Sequence, residues 1–164
     1  MSTADAAALL ERLADDERRL VLASFDEDVA WQLGTELVET AQAERLPVAI
    51  AIRRGAQVLF HAALPGASAD NDAWIERKCR VVERYQRSSY AVGTGFRAQG
   101  TTFEASSLLD PTVFAAHGGA FPLRVQGAGM VAIVAVSGLP QADDHALVVR
   151  VLERLVERSA LGLD

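Results

Sequence analysis

The 164-residue sequence contains one cysteine, Cys79, so no internal disulfide framework is available to it. A lone thiol of this kind is usually a small buried hydrophobe in a reducing compartment, and a cytoplasmic location is expected. Basic residues are outnumbered, 16 Lys and Arg against 22 Asp and Glu. A net charge of −6 argues against a sequence-independent nucleic-acid binder, because phosphate affinity rests on cations displacing condensed counterions. Long apolar runs are missing as well. The longest, residues 127–139, falls well short of the roughly 20 residues that cross a bilayer, so no membrane partner is expected. The first residues lack a basic stretch followed by an apolar one, which excludes a secretory signal there. Only three histidines occur, His61, His117 and His145, and none pair at the i, i+4 spacing of a helical zinc site, so no metal is expected. Gly93-Thr94-Gly95 and Gly127-Ala128-Gly129 lack the third glycine and the setting of a dinucleotide fingerprint. Ser88-Ser89 and Ser106-Ser107 lack the strand-turn-helix context of a nucleophile elbow.

What is present is a clear alternation of helical and strand patterns. Ser2 or Thr3 can cap an amphipathic helix carrying Ala6, Leu9, Leu10, Leu13 and Leu20. After a short run at 21–25, Asp26-Glu27-Asp28 opens a second helix reaching about Arg45, and Gly34 inside it suggests close approach to another backbone. Residues 48–53 and 58–64 form a hairpin around Arg54-Gly55-Ala56-Gln57. A third helix, with Asp70 as its candidate cap, carries Trp74, Ile75, Lys78, Val81, Val82 and Tyr85 on one side. A short helix over 90–99 and loops over 101–119 follow, with a helical turn near Asp110-Pro111. A second hairpin, 121–125 with 130–137, has a longer strand that is apolar on both faces and therefore central. A C-terminal helix with Leu147, Val151, Leu152 and Leu155 closes the chain. The fold class is α+β, a mainly antiparallel sheet of about five strands packed by helices, as one domain over 1–164 with its core at about 20–158.

Four groups of residues carry candidate chemistry. His117-Gly118-Gly119 precedes a strand, and paired glycines can turn backbone N–H groups toward an anion or simply make a tight turn that Pro122 follows at a sheet edge. Arg77, Arg80, Arg84 and Arg87 share one helical stripe that can hold carboxylates, or can pair locally with Glu76 and Glu83. Asp143, Asp144 and His145 read as a helix cap or as an acid–base or metal cluster. His61, between Leu59 and Ala63 on a strand face, reads as a structural histidine, and mid-helix Cys79 as inert core.

Several segments together resemble the haem-degrading-domain family, which includes the GlcG-type and HbpS-type proteins. They are Leu46-Pro47-Val48-Ala49-Ile50, Gly55 with Leu59-Phe60, Asp70-Asn71 with Trp74-Ile75 and Arg77-Lys78, Ser88-Ser89, His117-Gly118-Gly119-Ala120-Phe121-Pro122, and residues 136–145. The resemblance spans roughly residues 20–158 and implies a symmetric homo-oligomer and haem or tetrapyrrole as a candidate cofactor. Haem would draw on His117 as axial donor and on the arginine stripe for its propionates. Three readings follow. The first is a small-molecule binding protein with its site at His117, Gly118, Gly119, Asp70, Asn71, Arg77, Arg80 and Arg84. The second is an enzyme using His117, Asp144 and His145, and the third an oligomeric interaction scaffold.

Overall fold

The structure, a computed structural model, describes residues 1–163. Helix α1 (Thr3–Arg19) starts in a capping box in which the Ser2 hydroxyl accepts from the Asp5 N–H and the Asp5 carboxylate accepts from the Ser2 N–H. Strand β1 (Val21–Leu22) and α2 (Glu27–Ala43) follow, the latter capped by the Asp26 carboxylate on the Val29 N–H. The first hairpin is β2 (Ala49–Arg54) and β3 (Gln57–Ala63) around Gly55, whose φ of +58° suits a glycine. Then come α3 (Ala69–Tyr85), α4 (Ser89–Ala98), the single turn α5 (Phe103–Ser106), the second hairpin β4 (Ala120–Val125) with β5 (Gly129–Ser137), and α6 (Gln141–Ala160).

The five strands lie in the order β1-β4-β5-β2-β3, antiparallel except for the short parallel pairing of β1 with β4. β5 is the middle strand, in keeping with its apolar faces. Side-chain alternation sorts the core into two layers. Ile50, Ile52, Phe121, Leu123, Val134 and Val136 meet α2 and α6 on one face. Ala49, Ala51, Ala120 and Ala135 meet Ile75, Cys79 and Val82 of α3 on the other. The small residues on that second face let α3 lie close to the sheet, which carries the side chain next to Cys79 to the end of β5. Helix α1 rests on α4 through Leu13, Tyr90 and Ala91.

Four details differ from the sequence expectation. Gly34 packs against the ring of Phe60, not another backbone: any Cβ there would overlap that ring. Ser68, not Asp70, caps α3, because the Asn71 carboxamide oxygen accepts the Ser68 N–H at 2.9 Å and Asp70 stands exposed in the first turn. Pro122 does not stop strand pairing; it lies within β4 in register with Ile133. The helical turn in the 101–119 loop falls at α5, while residues 111–113 form a plain turn. Among the described residues no helix is long and apolar enough to cross a membrane.

Candidate functional site

Three segments from distant parts of the sequence close on one point at the head of the sheet. Gly119 has φ of +132°, and a Cβ on it would overlap the Val136 carbonyl oxygen. Gly118 is equally confined, since its Cβ would overlap the Gln141 carbonyl oxygen, and its N–H donates to the Gln141 side chain at 3.2 Å. The glycine pair therefore brings the start of β4 against the end of β5 and the first turn of α6. The Gly118 N–H is spent on Gln141 and is not offered to a ligand.

Into this junction α3 projects Lys78. Its ammonium donates to the Val136 carbonyl at 3.0 Å and to Asp144 Oδ2 at 2.9 Å, and both side chains are at most 3% exposed. The other Asp144 oxygen accepts the Leu139 N–H at 3.0 Å, so one carboxylate ties the segment ahead of α6 to the helix and holds the lysine; it does not cap α6, whose N-cap is Pro140. Burial pushes Lys78 below its ordinary range and Asp144 above it, and mutual attraction opposes both shifts. An ammonium has three donors, and this one has two protein acceptors.

A cleft of about 300 Å³ opens over the pair, walled by Asn71, Trp74, His117, Ser137 and Gln141. The Trp74 and His117 rings meet edge to face at 5.2 Å, and the Arg77 guanidinium lies 4.2 Å over the indole on its other flank. His117 Nε2 is 3.5 Å from Glu104, and desolvation pulls its pKa below the ordinary value despite that carboxylate.

The remaining candidates go elsewhere. Arg77 donates twice to the Pro111 carbonyl, at 2.7 and 3.1 Å, and Arg80 to the Val113 carbonyl at 3.3 Å. These two arginines staple the 110–113 turn onto α3. Arg84 is exposed, and Arg87 approaches Glu17 at 3.8 Å. Asp70 is exposed outside the cleft. His61 is exposed and bonded to Asp72 at 2.7 Å. His145 leaves the Asp144 side of α6 altogether and lies between Tyr90 and Phe121. Burial drives the Cys79 thiol up to about 12.

Lys78, Trp74, Ser137 and Gln141 are not among the site residues named from the sequence, although all four fall in the segments that carry the family resemblance. The usable signal was a lysine inside the apolar stripe of α3, at a position where a solvated cation does not belong. Among the described residues, no three His, Cys, Asp or Glu side chains gather as metal ligands.

Residues 25–153 match the family described as "Haem degrading protein HbpS-like". A UPF0303 protein of Streptomyces coelicolor is 60% identical over 95% of this chain and 99% of its own length. Another, from Edwardsiella ictaluri, is 48% identical over 90% and 94%. Among solved structures, the Ybr137w protein superposes with a TM-score of 0.85 at 32% identity, covering 92% of this chain and 89% of that one. HbpS itself gives 0.64 at 19% identity over 82% and 92%, a likeness of fold. A PduOC:heme complex gives 0.64 at 18% identity over 80% and 94%, again a likeness of fold. By matched family and by close relatives alike, the chain belongs to the HbpS-like haem-degrading protein family and is related within it to the UPF0303 proteins.

Proposed function

We propose that this protein binds a small planar carboxylate or carbonyl compound in the cleft of Asn71, Trp74, Lys78, His117, Gln141 and Asp144. The observation that carries this is a fully buried ammonium at the floor of an open cleft with two of its three donors satisfied. Burying an ion pair is seldom favourable for stability alone, since desolvation offsets most of the attraction. A ligand oxygen at the third donor gives the pair a purpose, and the Trp74 face gives a planar ligand its wall. The half-buried, neutral imidazole of His117 can donate or accept at the rim.

The family description raises haem. Within one chain the cleft does not fit it: about 300 Å³ is at the small end of ligand pockets, His117 Nε2 faces Glu104, and Arg77 is committed to Trp74 and Pro111.

Thermal-shift titrations with oxalate, benzoate and haem test the proposal. A saturable upward shift with a carboxylate, lost in a folded Lys78→Met/Asp144→Leu double variant, is expected. A shift with haem alone, or with none of the three, sinks it.

Self-association is a second property with a specific support. Trp31 of α2 is 66% exposed, with its ring 5.5 Å from that of Phe60 on the edge strand β3. Light scattering should give a multiple of the chain mass that falls in Trp31→Arg. A monomeric mass for the native chain removes this property.

A further inference from the structure

On the far side of α6 a second, larger groove of about 960 Å³ runs between α1, the first half of α6 and the end of α2. Its apolar lining includes Leu9, Leu13, Tyr90, Leu139 and Val149. The Arg19–Glu153 ion pair spans it from α1 to α6. Set into this wall is His145, 4% exposed, with neither ring nitrogen bonded to any protein group.

That combination is costly. A neutral imidazole carries one donor and one acceptor, and leaving such groups buried without partners opposes folding. The ring's other contacts are with Tyr90 at 5.3 Å and Phe121 at 5.9 Å, an environment a phenyl ring would suit as well. Departures from polar satisfaction of this kind concentrate at functional positions.

The charges around the groove restrict the ligand. Five carboxylates and three arginines line it, and two of those arginines already pair with Glu153 and Glu44. The excess of negative charge disfavours anions, and the apolar lining favours a ring system.

We infer that this groove is a second ligand site, taking an uncharged ring compound whose single hydroxyl or N–H group completes the hydrogen bonding of His145. Entry requires the side chains that shield the imidazole from water to part. The site is separate from the Lys78 cleft, since consecutive residues of α6, Asp144 and His145, face the two cavities.

The test uses 2-naphthol, neutral at pH 7, with 2-naphthoate as the charged compound of the same ring. In the full chain, 2-naphthol is expected to bind saturably and to move the ring ¹⁵N resonances of His145. 2-Naphthoate is expected to bind at least about tenfold more weakly, a difference of about 1.4 kcal/mol. His145→Phe, which keeps ring volume, should weaken 2-naphthol by about tenfold or more. Ala146→Trp, which fills the groove from an exposed position, should block it. Binding should persist in Lys78→Met/Asp144→Leu, which separates this site from the cleft. Absence of saturable 2-naphthol binding, equal binding of naphthoate, or binding indifferent to both groove variants overturns the inference.

Discussion

Replacing Lys78 by Met keeps the length of the side chain and removes its charge, which leaves the Asp144 carboxylate buried at 1% exposure with only the backbone N–H groups of Leu139 and Gly138 as donors. Removing one member of a buried pair costs about 3–5 kcal/mol, since the surviving ion has neither water nor partner. A domain of this size shifts its melting temperature by about 2–4 °C per kcal/mol, so the expected drop is about 6–20 °C. The penalty is pH-dependent in a fixed sense. Burial already raises the Asp144 pKa, and loss of the ammonium raises it further, so the folded state takes up a proton that the unfolded state, titrating near 3.8, does not. Stability of Lys78→Met relative to wild type should therefore recover as pH falls from 8 toward 5. Lys78→Met/Asp144→Leu removes both charges and should return to within about 1 kcal/mol of wild type or exceed it. Thermal melts and urea denaturation at pH 8 and pH 5 measure all three proteins. If the single variant melts within 3 °C of wild type, or the double variant is no better than the single one, the pair is not the desolvated couple described.

His145 gives a second pH signature. Its pKa is lowered by burial from 6.5 to about 4, so the folded state holds the neutral ring, this group imposes no pH dependence above about 6.5, and stability is lost as pH falls toward 4 and the unfolded chain takes up the proton. Two and a half pH units at about 1.4 kcal/mol each amount to roughly 3 kcal/mol. In His145→Phe that loss should vanish from a pH series of denaturation curves, and stability at pH 7 should rise by about 1–3 kcal/mol. Cys79, with its thiol pushed up to about 12 and buried, should resist a disulfide reagent at pH 8 in the native protein and react at once in urea. Gly119→Ala meets both a positive φ and the Val136 carbonyl, and should destabilise by about 4 kcal/mol or more in thermal melts, whereas Gly127→Ala, also at positive φ but in open space, should cost much less.

Much of the architecture is legible from local chemistry. The Gly55 hairpin, the apolar central strand β5 and the acidic start of α2 follow from turn residues, periodicity and helix-end electrostatics, all of which act within a few residues. The site is less legible because its groups are partners only across the fold. Lys78 and Asp144 are 66 positions apart, and the aspartate reads as a helix cap when taken alone. The structure spends it otherwise, on Lys78 and on the Leu139 N–H ahead of the helix, and only the approach of α3 to the end of β5 reveals this. The arginines of α3 illustrate the converse. Arg77, Arg80 and Arg84 lie on α3 while Arg87 falls past the left-handed Gln86 that ends the helix, and the carbonyls of Pro111 and Val113 that engage Arg77 and Arg80 lie in an irregular segment with no period to announce it. His117 borders the cleft, but Gly118 and Gly119 do not line it and are required for backbone clearance, a need that sequence cannot separate from presenting N–H groups.

Asp144 and His145 are neighbours on one helix and point to different cavities, so the first turn of α6 is a partition with a compartment on each side. Helical backbone is stiff on the scale of one turn. Any tilt of that turn which widens one compartment is transmitted to the other through the same peptide units, and their volumes cannot be set independently.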